Sequence, residues 1–262
     1  MHQELRGFLM SNFSYIIGHR GNKNDRLQNL ICVLNMVKPL GGEVIVVEQD
    51  KEPFSEQYIK PLGVKYIFAK NSRMYNRSWG FNVGYRNSTE NILYFADNDL
   101  VMSTESLKQD IESFENKETS SPYIGVHDCS PQETKLVYSG QPLPTIKRNF
   151  RGGCNYAGGI LTFKRDSFEK TGGWGEGFEG WGGEDDHMLM KLNKAGIAQH
   201  TSKNVCYHLF HGRDTSSRAF HSNYTNNLIQ INTLRDTSEE QCQLNFAQEL
   251  KGIGNVNKYN GT

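Results

Sequence analysis

Three short stretches of the 262-residue chain carry the side chains that chemistry needs. The first is Asp97-Asn98-Asp99, which follows directly on the apolar run Ile92-Leu93-Tyr94-Phe95-Ala96. Two carboxylates two residues apart at the end of a buried strand can address a divalent cation and a neighbouring hydroxyl. Asp and Asn are also ordinary turn formers, so the triplet alone reads first as a turn. The second is His208-Leu209-Phe210-His211, followed by Gly212. Imidazole suits transition metals, whereas Mg²⁺ and Ca²⁺ prefer oxygen. Taken alone, the pair reads first as one half-buried and one surface histidine. A carboxylate and two imidazoles together offer a mixed oxygen and nitrogen site, better matched to Mn²⁺ than to Mg²⁺.

The third stretch is Trp181-Gly182-Gly183-Glu184-Asp185-Asp186. Acids that open a helix are favoured by its dipole and can cap free N–H groups. That accounts for one acid, not for three in a row, nor for the run over residues 172–183, in which seven glycines surround Trp174, Phe178 and Trp181. Glycines let backbone and ligand approach closely, and tryptophan offers an apolar face to a sugar ring. A carboxylate on this turn could accept a proton from an attacking hydroxyl.

The elements that must position these groups follow from periodicity. Residues 13–18, 43–48, 64–69 and 91–96 read as strands, alternating with helical patterns over 25–37, around 54–62 and over 77–86. Alternation of this kind implies right-handed βαβ crossovers, a mostly parallel sheet flanked by helices, and ligands bound off the carboxyl ends of the strands. Further on, 104–115 predicts a helix, 139–144 a loop, 157–163 a strand and 165–171 a short helix. The sequence then predicts a helix over 184–195 ending before Gly196, a strand over 206–210 and a serine-capped helix over 238–250. No linker or internal repeat divides the chain, so one domain over 1–262 is expected. Residues 13–103 form its regularly alternating half, and 104–262 a less regular half.

Composition narrows the class. The chain balances 29 Lys and Arg against 29 Asp and Glu, which argues against a surface built to coat nucleic acid. With 11% aromatics it is too aromatic for a disordered chain. Runs such as Val44-Ile45-Val46-Val47 are too short to span a bilayer, and residues 1–10 lack the apolar stretch of a secretory signal. Five scattered cysteines (Cys32, Cys129, Cys154, Cys206 and Cys242) form no Cys-x-x-Cys pair and fit reduced thiols in a cytosolic setting.

Together the stretches resemble glycosyltransferases of the GT-A fold, and most specifically the β-1,4-galactosyltransferases. Tyr75-Asn76-Arg77-Ser78-Trp79-Gly80-Phe81-Asn82-Val83-Gly84 is similar to the family's Phe-Asn-Arg-…-Leu-Asn-Val-Gly stretch, and Asp97-Asn98-Asp99-Leu100 to its Asp-Val-Asp-Leu. The block from Tyr156-Ala157-Gly158-Gly159 through Trp181-Gly182-Gly183-Glu184-Asp185-Asp186 carries its most specific signature. His208-Leu209-Phe210-His211-Gly212-Arg213-Asp214 is similar to Met-x-x-His-Ser-Arg-Asp, and Gly18-His19-Arg20 to Pro-Phe-Arg. Looser similarity extends to polypeptide GalNAc-transferases and bacterial chondroitin-type polymerases.

The resemblance implies an inverting transfer of a sugar, galactose first, from a UDP-sugar to a hydroxyl of a glycan or glycolipid, with Mn²⁺ as cofactor. It assigns Asp185 as the base and Asp99, His208 and His211 as metal ligands. His19, Arg20, Arg77, Asp97, Tyr156 and Trp181 fall to the donor. Trp181, Glu184 and Asp186 fall to the acceptor. Tyr156 stands where the family favours galactose over N-acetylgalactosamine. The family's animal members carry a membrane anchor and disulfides. Their absence here leads to the expectation of a bacterial, phage or viral enzyme, cytoplasmic or peripheral to the inner membrane face.

Two readings compete with galactosyl transfer. A same-fold transferase would use UDP-GalNAc, UDP-GlcNAc or UDP-glucose. A carbohydrate-binding protein would use Trp174, Phe178 and Trp181 as a sugar platform. The glycine run 172–183 is further expected to act as a lid that orders over donor and metal.

Overall fold

The structure is a computed structural model, which describes residues 12–21, 24–143, 150–152, 155–212 and 223–260. The sequence begins with a strand-helix alternation: β1 (Phe13–His19), α1 (Asn24–Val37), β2 (Glu43–Glu48), α2 (Glu56–Ile59), β3 (Lys65–Phe68), α3 (Arg77–Arg86) and β4 (Ile92–Ala96). Then follow β5 (Leu100–Val101), α4 (Thr104–Glu112), β6 (Thr119–Ser121), β7 (Gly125–Asp128), α5 (Pro131–Tyr138), β8 (Phe150–Gly152), β9 (Ile160–Lys164) and α6 (Arg165–Lys170). The chain continues through α7 (Glu184–Lys194), β10 (Gln199–Thr201), β11 (Val205–His208), α8 (Tyr224–Asp236) and α9 (Glu239–Gly252).

Among the described residues the larger sheet has the order β10-β6-β9-β4-β1-β2-β3. Strands β3, β2, β1 and β4 run parallel, and β9 lies antiparallel between β4 and β6. The expected mixed α/β architecture with a mostly parallel centre is therefore present. Strand order reverses between β1 and β4, the place where an open α/β sheet leaves a ligand crevice. A second sheet, β5-β11-β7-β8, packs into the same apolar cluster as α1 and one face of β1 and β4; its strands of two to four residues carry no periodicity of their own.

Why β4 and β1 sit centrally is plain from their residues. Every residue of both is buried, as expected of strands covered on both faces. Alternate side chains feed two apolar clusters. Tyr15, Ile17, Tyr94 and Ala96 join α1 and the small sheet, whereas Ile16, Leu93 and Phe95 join α3, α6 and α7. Gly84 lets α3 lie directly on β1, because a Cβ there would run into Ile16. Burial of this kind stabilises by about 25 cal/mol per Å² of apolar surface.

Several expected boundaries shift for local reasons. The expected strand 157–163 begins only at Ile160, because Gly159 turns the chain at φ +79°. The strand 206–210 ends at His208, since the Leu209 amide leaves the ladder to donate to Asp99 O at 2.8 Å. The helix 104–115 stops at Glu112. Gly196 does adopt the left-handed conformation after α7, at φ +65°, and Ser238 does cap α9. Residues 1–10, Cys154, Arg213 and Asp214 lie outside the described residues.

Candidate active site

The Asp-Asn-Asp triplet sits at the carboxyl end of β4, beside the end of β1 in the crevice. Its backbone is fixed by Asp97 N donating to Gly159 O at 3.0 Å, and Asn98 is joined to His19 Nδ1 by its side-chain nitrogen at 2.6 Å. Asp99 then enters β5, which pairs antiparallel with β11 and sets Leu100 opposite His208. That pairing, together with the Leu209–Asp99 bond, carries a histidine 109 positions later onto the second carboxylate. The loop beyond is tied to two helices. Asn29 donates to Phe210 O at 3.2 Å, Phe210 N to Thr134 Oγ1 at 2.8 Å, and Gly212 N to Asp25 Oδ2 at 2.6 Å.

The result is a compact donor set. Ligand atoms of Asp99, His208 and His211 all lie within 4.8 Å of one another. His211 Nε2 is 3.3 Å from Asp99 Oδ2, and His208 Nε2 is 3.9 Å from Asp99 Oδ1. One buried carboxylate and two imidazoles fit a divalent transition metal. Burial is the main cause that holds His211 below its usual range, with Asp99 pulling the other way, so its ring is neutral as a ligand requires. His208 Nδ1 lies 3.0 Å from Asp128 Oδ1 at the end of β7, a carboxylate that in turn accepts from Arg151. This arrangement directs His208 Nε2 toward the centre of the set. Burial works against the Asp128 charge, but the bonds from Arg151 and His208 win and hold its carboxyl low.

A second constellation surrounds Arg77 at the start of α3, a helix capped by Asn76 through Trp79 N. Its Nε donates to Asp97 Oδ1 at 2.6 Å, its Nη1 to Asp185 Oδ1 at 2.5 Å, and its Nη2 to Gly159 O at 3.3 Å. The guanidinium rests on Phe81 and Trp174, 4.7 and 5.3 Å from their ring centres. One cation thus serves two carboxylates, with Glu184 close by as a third. Burial, opposed by Arg77 and reinforced by the Glu184 and Asp97 charges, pushes Asp185 up to about 7. Burial also raises Glu184, whose buried Oε2 has no hydrogen-bond partner among the described residues.

The remaining expected residues occupy distinct places. His19 is 1% exposed, and burial drives its ring down to about 3, so it stays neutral. Arg20 spends its Nε and Nη2 on the carbonyls of Gln49, Asn71 and Arg73, which ties together the loops after β2 and β3. The Tyr156 hydroxyl accepts from His200 N at 3.2 Å and lies 3.4 Å from Thr119 Oγ1, toward the β6–β10 edge. Asp186 accepts from Asn155 at 2.6 Å. Trp181 is 46% exposed just before α7, whereas Trp174 and Phe178 are 1% and 2% exposed. The three-aromatic sugar platform is therefore not formed, because two of its rings are core. The same burial restricts the expected lid: lifting all of 172–183 would expose both rings.

Sequence reasoning missed Arg26, Asp128, Arg151 and Asn155. Each meets its site partner from a distant part of the chain, so spacing holds no trace of it. The one signal available was position: Arg26 opens a helix at the carboxyl end of β1, where ligands of such sheets bind.

Residues 148–212 match the N-terminal domain of galactosyltransferase. The curated relatives include beta-1,4-galactosyltransferase 4 of Rattus norvegicus, 25% identical over 157 residues, and of Cricetulus griseus, 26% identical over 173 residues. These matches cover 57% and 62% of this chain but only 38% and 43% of the relatives, so the chain spans well under half of their length. The human counterpart is 24% identical over 144 residues, 53% of this chain and 36% of its own. Animal relatives overturn the expectation of a bacterial, phage or viral origin and of a cytoplasmic setting, which rested on missing features. Among the described residues, no helix is long and apolar enough to cross a membrane.

Solved structures agree on the fold. The Drosophila beta1,4-galactosyltransferase 7 catalytic domain in complex with xylobiose matches at TM-score 0.51 and 17% identity, over 88% of this chain and 83% of that one. GalNAc-T7 with UDP, GalNAc and Mn²⁺ matches at 0.61 and 11%, over 92% and 55%. A Pyrobaculum calidifontis mannosyltransferase with GDP-Man and Mn²⁺ matches at 0.57 and 14%, over 91% and 68%. These likenesses show the GT-A fold. Residues 21–172, more than half of the chain, match the glycosyl transferase family 2 model, and the chain belongs to that family.

Proposed function

We propose that the chain is an inverting, metal-dependent glycosyltransferase that moves a sugar, galactose first, from a UDP-sugar to a hydroxyl of a glycan acceptor. The observation that carries this reading is the pairing of two constellations at one sheet crevice: a carboxylate with two imidazoles, and a carboxylate of raised pKa held by Arg77. The first comes from β4 and β11, the second from α3 and α7, so both halves of the chain contribute, which supports treating 1–262 as one catalytic unit.

Asp99, His208 and His211 would hold Mn²⁺. Bound there, the cation supplies charge neutralisation for the departing diphosphate. Asp185 takes the proton of the acceptor hydroxyl, whose oxygen attacks the anomeric carbon from the face opposite the leaving group. The bond from that carbon to the diphosphate oxygen breaks, UDP departs, and an α-linked donor gives a β-linked product. A base with a pKa near 7 is matched to proton transfer at neutral pH. Arg77 keeps Asp185 and Asp97 apart in role while compensating both. Asp97, His19 and Arg20 form the uridine side, Trp181 stacks on sugar, and Glu184 and Asp186 hold acceptor hydroxyls.

The reading is tested by UDP release across UDP-Gal, UDP-GalNAc, UDP-GlcNAc and UDP-glucose with a glycan acceptor, each with Mn²⁺ and with EDTA. Acceptor-dependent release from UDP-Gal that EDTA abolishes supports it; preference for another sugar moves the donor within the same fold. Absence of release from every donor, with retained binding of glycans, would favour a carbohydrate-binding protein.

A further inference from the structure

We propose that Arg26 is a counter-ion built into the metal centre, which guards Asp99 and His211 until a cation arrives and then passes to the donor's diphosphate. This rests on the reading of Asp99, His208 and His211 as metal ligands. Arg26 stands in the first turn of α1, at the carboxyl end of β1, with its side chain 31% exposed. Its Nη1 lies 3.6 Å from Asp99 Oδ2 and its Nη2 lies 3.3 Å from His211 Nδ1. The same Nδ1 is 3.3 Å from Gly212 O.

These two contacts exclude each other. A neutral imidazole carries one N–H. When Arg26 donates to Nδ1, the ring proton sits on Nε2 and points at Asp99, so no lone pair faces the centre. When Nδ1–H donates to Gly212 O, the Nε2 lone pair is free to ligate. His211 can therefore ligate a cation only as Arg26 lets go of its Nδ1, and the charge of that cation repels the guanidinium in any case. The helix need not move, because Gly212 N donates to Asp25 Oδ2 at 2.6 Å and so ties the His211 loop to α1. A released guanidinium would be free to pair with a diphosphate bound at this centre, since its planar fork suits phosphate oxygens. Arg26 then couples the two ligands: it opposes the cation alone and favours the cation with nucleotide.

The test is calorimetry on the full chain, with Mn²⁺ alone, UDP alone, and UDP at saturating Mn²⁺, for the wild type, Arg26→Gln, Arg26→Lys and His211→Ala. Arg26→Gln should bind Mn²⁺ alone several-fold more tightly and UDP with Mn²⁺ more weakly, so that coupling between the ligands falls roughly tenfold. Arg26→Lys should recover part of the UDP affinity. An Arg26→Gln chain whose Mn²⁺ and UDP affinities equal those of the wild type, while His211→Ala loses Mn²⁺, would overturn the role of Arg26 alone. A His211→Ala chain that binds Mn²⁺ as the wild type does would overturn the metal site and this inference with it. Lower affinity for both ligands, with a lower Tm, would make Arg26 a structural ion pair and also overturn the proposal.

Discussion

Arg77 Nη1 donates to Asp185 Oδ1 at 2.5 Å while the same guanidinium reaches Asp97 Oδ1 at 2.6 Å through Nε, so a residue of α3 joins the end of β4 to the start of α7. The bridge has an electrostatic consequence. Of the groups acting on Asp185, burial raises its pKa most, and Arg77 is the main influence that lowers it. Transfer activity should rise with pH through about 7, because the carboxylate accepts a proton only when ionised. Arg77→Met should move that limb to higher pH and cut kcat. Profiles of kcat/KM against pH for the two proteins check this; a limb that stays in place would show that another group sets it.

Gly158 should be sensitive although it is remote in sequence from α7. A Cβ there would lie 3.2 Å from Asp185 Oδ2 and 3.3 Å from Asn155 O. Gly158→Ala should shift the carboxylate by a few tenths of an ångström and lower kcat on the order of tenfold, with KM for the donor and Tm close to wild type. Unchanged kcat would mean that Asp185 has room to move without loss.

Strands β1, β2 and β4 were legible because each is five to seven residues long and buried almost throughout, whereas the shorter, half-buried β3 was legible from its place in the alternation. The small sheet apart from β11, and the β6–β10 edge of the large sheet, were not. Leu100–Val101 has two residues, Thr119–Ser121 is a polar Thr-Ser-Ser strand that is nonetheless buried, and Gln199–Thr201 is exposed throughout. Helix α8 mixes Asn, Gln and Thr with its apolar residues and shows little of a stripe. In the site, residue types and family resemblance gave Asp99, His208, His211 and Asp185. They did not give Asp128, which meets His208 only because β7 and β11 pair in register, or Arg77 as the bridge rather than a donor contact alone. Contacts made across 80 or 108 positions leave no local pattern.

Acid should destabilise the fold through two buried histidines. Burial lowers both His19 and His187 to about 3 from an ordinary 6.5. The folded state binds fewer protons than the unfolded one, so the stability is complete above about 6.5 and is lost as pH falls toward 3. Each ring contributes a slope of at most about 1.4 kcal/mol per pH unit in that window. Urea unfolding at pH 7 and pH 5 should show the loss, and His187→Leu should reduce its pH dependence. Asp185 and Glu184, raised by burial, act in the opposite sense over the same range, so the wild type is read against His187→Leu. An identical pH dependence in the two proteins would contradict the burial of that ring.

Donor choice should respond to Tyr156. Replacement by Leu removes a ring whose hydroxyl is fixed by His200 N, and it should raise use of UDP-GalNAc relative to UDP-Gal by about 1–3 kcal/mol of discrimination. Initial rates with both donors measure the ratio. A wild-type protein that already prefers UDP-GalNAc would show that Tyr156 is no such gate.

The most direct measurement of the central claim is acceptor-dependent UDP release from UDP-Gal by the wild type and by Asp185→Asn, each titrated with Mn²⁺ after removal of metal by EDTA. The wild type should be silent without metal and recover with Mn²⁺. Asp185→Asn should bind Mn²⁺ and UDP as before yet turn over roughly 10²–10⁴-fold more slowly. Full turnover in EDTA, or wild-type turnover in Asp185→Asn, would contradict the account of a metal-assisted transfer with Asp185 as its base.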